Sequence, residues 1–201
     1  MENQLSDEKT DALKEIVSIG AGNAATALSQ MLRQKVNIIV PSVVFSSIDK
    51  AQNIFGPPET LVVTIYLQLL GDASGVILLS FKIKDALRLA DMLTGREPGQ
   101  SKILGEMGES ALKESATILT GAYLAALAKL LKMRLLISSP AMAQDMAGAI
   151  VDNILIETSK EADYTLVIDT ELEIISEKVT AYFFFIPDKQ SLDKILMAIG
   201  A

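Results

Sequence analysis

An α+β fold made by tandem duplication, with its halves related by an approximate two-fold axis, is what the sequence predicts, on three observations. Long segments with apolar residues three and four apart alternate with β-rich pairs joined by tight turns. Ala12-Leu13-Lys14-Glu15 recurs unchanged as Ala111-Leu112-Lys113-Glu114, 99 positions on, and the same offset pairs Ile19 with Ile118, Gly22 with Gly121, Ala27 with Ala126, Leu28 with Leu127 and Pro41 with Pro140. Each half offers only a small sheet, so the halves are expected to share one mainly antiparallel sheet and one core, with the two long helices on one side. The 201 residues then read as a single domain with internal repeats at about 7–95 and 104–200.

The elements follow in order. Ser6 is a candidate N-cap, and the acidic Asp7 and Glu8 suit a first turn. Leu13, Ile16, Gly20, Ala24, Ala27 and Met31 then mark the core stripe of a helix over roughly 7–33. Val36 to Val44 is β-branched and interrupted by Pro41, which predicts a short strand that ends, or lies at a sheet edge, near the proline. Leu61–Leu69 and Gly75–Phe81 flank Gly71-Asp72 as a hairpin. Lys84–Thr94 is a helix closed by Gly95, and Gly95 to Ser101 is a short linker.

The second half repeats this order. A helix from about 104–106 to 131 and a strand Arg134–Ser138 are followed by a helix near Ala141–Ile156 that has no equally long counterpart in the first half. A hairpin of Tyr164–Ile175 and Lys178–Ile186 leads to a last helix, whose Leu192, Met197 and Gly200 echo Leu87, Met92 and Gly95 at an offset of 105.

Composition excludes whole classes of chemistry. The chain has no His, Cys or Trp, which removes zinc and haem sites built on those ligands, histidine-dependent nucleophile systems and disulfides. A formal charge of -7 and a pI near 4.7 argue against binding to a phosphate backbone. Mean hydropathy is high at +0.35, yet the longest uncharged stretch, Ile16–Leu32, is too polar to span a bilayer. The N-terminal residues lack the features of a secretion signal, so a cytoplasmic location is expected. Gly20-Ala21-Gly22-Asn23-Ala24-Ala25 fits G-x-G-x-x-A, but it lies inside a helical pattern instead of at a strand-to-helix turn. The small residues on the buried stripe, Gly20, Ala24 and Ala27, are better read as letting another helix or the sheet approach closely.

Asp11, Glu15, Ser18 and Gly22 fall on one helical stripe away from the expected core, and Ser110, Glu114, Thr117 and Gly121 repeat it on the second long helix. A solvated face has little reason to hold such a pattern through an otherwise diverged duplication, so the stripe reads as functional. With Pro41 and Pro140, 22 residues beyond Ser18 and Thr117, the spacing resembles the doubled signature of the chemotaxis phosphatase family of CheC, CheX and FliY. The run Glu15 to Ser29 is similar to the first helix of the CheC-like members, and the resemblance covers nearly the whole chain.

The resemblance implies a protein that engages a phosphorylated CheY-type receiver and promotes hydrolysis of its aspartyl phosphate. In that family a glutamate pairs with the receiver's lysine and an asparagine orients the attacking water, while the receiver brings its own metal ion. It therefore implies no cofactor or metal site on this chain. Glu15 and Glu114 match the glutamates, but Ser18 and Thr117 stand where the asparagines would be, so catalysis is expected to be weak. Asp11 and Ser110 are carried over as regulator-binding positions, and Asp145 as a contact for the receptor deamidase CheD. The alternative is a non-catalytic adaptor that sequesters the phosphorylated regulator or binds CheD. A flagellar-switch role of the FliM type is disfavoured, on the expectation that no regulator-binding peptide precedes the chain and no switch domain follows it.

Overall fold

The computed structural model describes residues 7–47, 56–157, 164–174 and 177–198. Ser6, Ile175 and Gly200 therefore lie outside the described residues. The first half runs α1 (Asp7–Leu32), β1 (Val36–Ile39), β2 (Val43–Ser47), β3 (Leu61–Gly71), β4 (Gly75–Lys82) and α2 (Ile83–Leu93). The second half runs α3 (Glu106–Leu131), β5 (Leu135–Ile137), β6 (Ala141–Met146), α4 (Ala147–Glu157), β7 (Tyr164–Ile174), β8 (Glu177–Pro187) and α5 (Lys189–Ala198).

The strands form one eight-stranded sheet in the order β1-β7-β8-β4-β3-β5, with β2 also on β7 and β6 also on β3, and every pairing is antiparallel. The two hairpins meet at the centre, where Leu79 lies opposite Phe183. Each half then hands its broken edge strand to the other half's hairpin: β1 and β2 line up on β7, and β5 and β6 on β3. The sheet order is the same read from either edge, which is the signature of the internal two-fold. Edge exchange ties the halves into one sheet.

The sequence explains the break in each edge. Pro41 has no N–H to donate and falls between β1 and β2, and Pro140 does the same between β5 and β6. The long helices also end alike, with Arg33 (φ 52) and Lys132 (φ 53), which are 99 residues apart, both left-handed. After each, an N–H reaches back into the helix, from Gln34 to Ser29 O and from Met133 to Ala128 O.

Leu13, Val17, Ala24 and Leu28 of α1 and Leu112, Leu119, Tyr123 and Leu127 of α3 fill a core against one face of the sheet, joined by Leu89 of α2 and Ile195 of α5. The opposite face, with Val62, Leu78, Val167, Phe184 and Ile186, is covered by Ala147, Ile150 and Ile154 of α4. The buried stripe of α1 is turned from the one expected. Val17, Ala21 and Leu28 are buried, whereas Ile16 and Ala27 are only half-buried and Met31 is exposed. The helix touches α3 as well as the sheet, so its buried arc is broader and differently centred than a single stripe.

Gly20 stands at that helix crossing. A Cβ there would lie 3.0 Å from Ala122 O and 3.1 Å from Tyr123 Cα, so the close approach expected at Gly20 is made against α3. The expected helix at Ala141–Ile156 requires correction: Ala141–Met146 is strand β6, and only Ala147–Glu157 is helical. Ala and Met favour helix locally, but pairing of β6 with Leu61–Tyr66 of β3 overrides that preference. By the 99-residue offset β6 is the counterpart of β2. The segment that would match α4, residues 48–58, lies mostly outside the described residues.

The segment between the repeats is held by Asp91, which is buried at the end of α2 and accepts a hydrogen bond from Ser101 N at 3.1 Å. Burial pushes its carboxyl upward, but the hydrogen bonds from Ser101, Gly99 and Gln100 outweigh that and hold it below the ordinary aspartate value.

Candidate functional site

Each long helix presents one stripe to solvent. On α1, Asp11, Glu15, Ser18 and Gly22 are all exposed. On α3, Ser110 and Glu114 are exposed, while Thr117 and Gly121 are partly covered. Among the described residues neither Glu15 nor Glu114 joins an ion pair, so both carboxylates are free to meet a cationic partner.

The hydroxyls behave alike in the two copies. Ser18 Oγ donates to Lys14 O at 2.7 Å and Thr117 Oγ1 donates to Lys113 O at 2.9 Å, each one turn back along its own helix. The hydroxyl proton is thereby committed to the backbone, and the lone pairs of the oxygen remain to accept from a water. An amide at the same position would reach further from the helix and would bring both a donor and an acceptor.

The structure also ties position 41 to the stripe-bearing helix through its backbone carbonyl. Lys14 Nζ donates to Pro41 O at 2.9 Å, fastening the stripe-bearing turn of α1 to the break between β1 and β2. Sequence reasoning passed over this lysine, although Lys14 and Pro41 recur at the same offset as Lys113 and Pro140.

Asp145 lies elsewhere. It is the penultimate residue of β6 and not part of a helix, and its Oδ1 accepts from Met146 N at 2.8 Å just before α4 begins. It is exposed on a sheet edge, whereas Glu15 and Glu114 sit on the helices that pack against the sheet. Asp11, Glu15 and Ser18 thus share one face of α1, Ser110, Glu114 and Thr117 the equivalent face of α3, and Asp145 lies on neither helix.

A family model described as CheC-like family matches residues 8–45, which take in α1, Pro41 and the start of β2. A Bacillus subtilis (strain 168) protein named CheY-P phosphatase CheC is 34% identical over 203 residues, spanning 99% of this chain and 97% of its own. The chain belongs to the CheC-like family. Two solved structures show the CheC-like fold in related forms. Thermotoga maritima FliY matches with a TM-score of 0.79 at 22% identity over 97% of each chain. The CheX–CheY–BeF3–Mg2+ complex from Borrelia burgdorferi matches with a TM-score of 0.50 at 19% identity, over 83% of this chain and 95% of that one. No helix of this CheC-like chain is long and apolar enough to cross a membrane, among the described residues.

Proposed function

We propose that the chain docks on the phosphorylated receiver of a CheY-type regulator through Glu15 and Glu114 and promotes slow hydrolysis of its aspartyl phosphate. The observation that carries this reading is the duplicated, solvent-facing Glu-x-x-Ser/Thr pair on α1 and α3, in a chain similar over its full length to a protein named as a CheY-P phosphatase. Asp11 and Ser110, one turn before each glutamate, extend the contact along the same stripe.

Phosphoryl transfer asks a protein for positioning more than for covalent chemistry. In this reading the glutamates pair with a cation on the receiver, which brings its own metal ion and carboxylate. Ser18 or Thr117 accepts one hydrogen of a water whose oxygen attacks the phosphorus. The bond from phosphorus to the receiver's aspartate breaks, and the proton of the water passes to the departing phosphate. Oriented by one acceptor held close to the helix, the water is poorly placed, and turnover is slow.

The committed hydroxyl protons favour a second reading, in which the chain binds without turnover and sequesters the phosphorylated regulator or serves as a partner for CheD, with Asp145 as the contact. One experiment separates the two: the purified protein is mixed with the phosphorylated cognate CheY and decay of the aspartyl phosphate is followed. Acceleration that disappears in Glu15→Lys with Glu114→Lys supports the phosphatase reading. Binding without acceleration supports the adaptor that sequesters the regulator, and absence of binding overturns both the phosphatase and the sequestering reading, leaving the CheD contact to a separate binding assay with Asp145→Lys.

A further inference from the structure

Gly22 and Gly121 are mid-helix glycines for which the fold supplies no reason. Both have ordinary helical backbone, since neither is among the residues of positive φ. A Cβ built on either would meet nothing within 4 Å. Gly20, two residues away on the same helix, shows the contrast, because its missing side chain is required by the backbone of α3. A glycine inside a helix is destabilising relative to alanine, so two such positions at equivalent places weaken α1 and α3 with no gain inside the chain.

Their location gives the gain. Gly22 lies one turn beyond Ser18, and Gly121 one turn beyond Thr117. In both copies the hydroxyl side chain is folded back onto the helix, by its bond of 2.7 Å to Lys14 O or 2.9 Å to Lys113 O. The glutamate is followed by two low positions in succession, and the helix backbone itself becomes the floor of the stripe.

We infer that Gly22 and Gly121 are close-approach positions, where a loop of the docked receiver comes into van der Waals contact with the helix backbone beside Ser18 and Thr117. The inference rests on the receiver-docking reading above and adds two determinants of fit to it. The first β-carbon placed there would lift the receiver away from the glutamates and from the hydroxyls together.

The test uses Gly22→Ala with Gly121→Ala and two readouts expected to move in opposite directions. Thermal unfolding should show a melting temperature raised by a few degrees, because alanine is the better helix former and has open space to occupy. Titration with the beryllofluoride and Mg2+ complex of the cognate CheY should show affinity at least tenfold weaker than that of the unsubstituted chain. Equal affinity with a raised melting temperature would overturn the inference and leave the docking reading intact. A lowered melting temperature would overturn it too, by showing an internal need for the glycines. If the unsubstituted chain itself does not bind the complex, the docking reading fails and takes the inference with it.

Discussion

The phenolic oxygen of Tyr123 lies 3.0 Å from Oγ1 of Thr170, joining the second long helix to β7 inside the core. The Tyr123 ring also meets Phe183 of β8 edge-on, with centroids 5.1 Å apart. Replacing Tyr123 with Phe keeps the packing and removes one hydrogen bond. Stability should fall by about 1 kcal/mol in urea unfolding at neutral pH.

The same residue predicts an alkaline limit. Burial, only partly offset by the Thr170 hydrogen bond, pushes the Tyr123 hydroxyl from 10.0 up to about 12. Between those values the folded chain keeps a proton that the unfolded chain has released. Its contribution to stability is therefore complete below pH 10 and is lost as pH rises through about 12, with a slope of at most about 1.4 kcal/mol per pH unit. Unfolding curves across that range should show the slope in the unsubstituted chain and a shallower one in Tyr123→Phe.

Gly20→Ala should destabilise the fold, in contrast to Gly22→Ala. The added methyl meets Ala122 O and the Cα of Tyr123, which are backbone and cannot swing away. Overpacking of this kind costs about 1 to 3 kcal/mol, and a lowered midpoint of urea denaturation would register it.

Charge reversal at Glu15 and Glu114 together should separate docking from folding. Both side chains are exposed, so the melting curve should move by no more than about 0.5 kcal/mol of stability. Affinity for the activated receiver should collapse, as measured by titration calorimetry.

Ser18→Asn with Thr117→Asn should speed dephosphorylation. Each asparagine extends beyond the hydroxyl it replaces and is not tied to the carbonyl one turn back. A well-placed polar group at a reacting centre is worth about 2.7 to 4 kcal/mol, so the double variant should gain on the order of a hundredfold in rate over the chain as it stands. Each single change should give part of that gain, because the two stripes lie on separate helices. Single-turnover decay of phosphorylated CheY measures it, and an unchanged rate would show that the hydroxyls do not limit hydrolysis.

Much of this protein is legible in its residues taken locally. The helices at α1 and α3, both hairpins and the duplication itself follow from periodicity, turn residues and a repeated tetrapeptide, since each depends on neighbours a few positions apart. The stripe of Asp11, Glu15 and Ser18 is legible for the same reason: helical spacing alone puts these residues on one face. The exposed side of α1 was thus easier to read than its buried side, where the choice of Val17 and Leu28 over Ile16 and Ala27 depends on what α1 packs against.

What the tertiary structure alone decided is whatever joins distant residues. Ala141–Met146 becomes a strand because β3 offers it a backbone to pair with, not because of its own composition. The exchange of edge strands between halves, the tie from Lys14 to Pro41 and the crossing of Gly20 against Tyr123 all join positions whose separation along the chain carries no local signal. Even the hydroxyls of Ser18 and Thr117, so visible in the sequence, disclose their donation to the helix only once the rotamer is seen. Sequence fixes which faces a segment has, through the repeat of its own backbone, while the partner of each face is set by long-range burial and pairing.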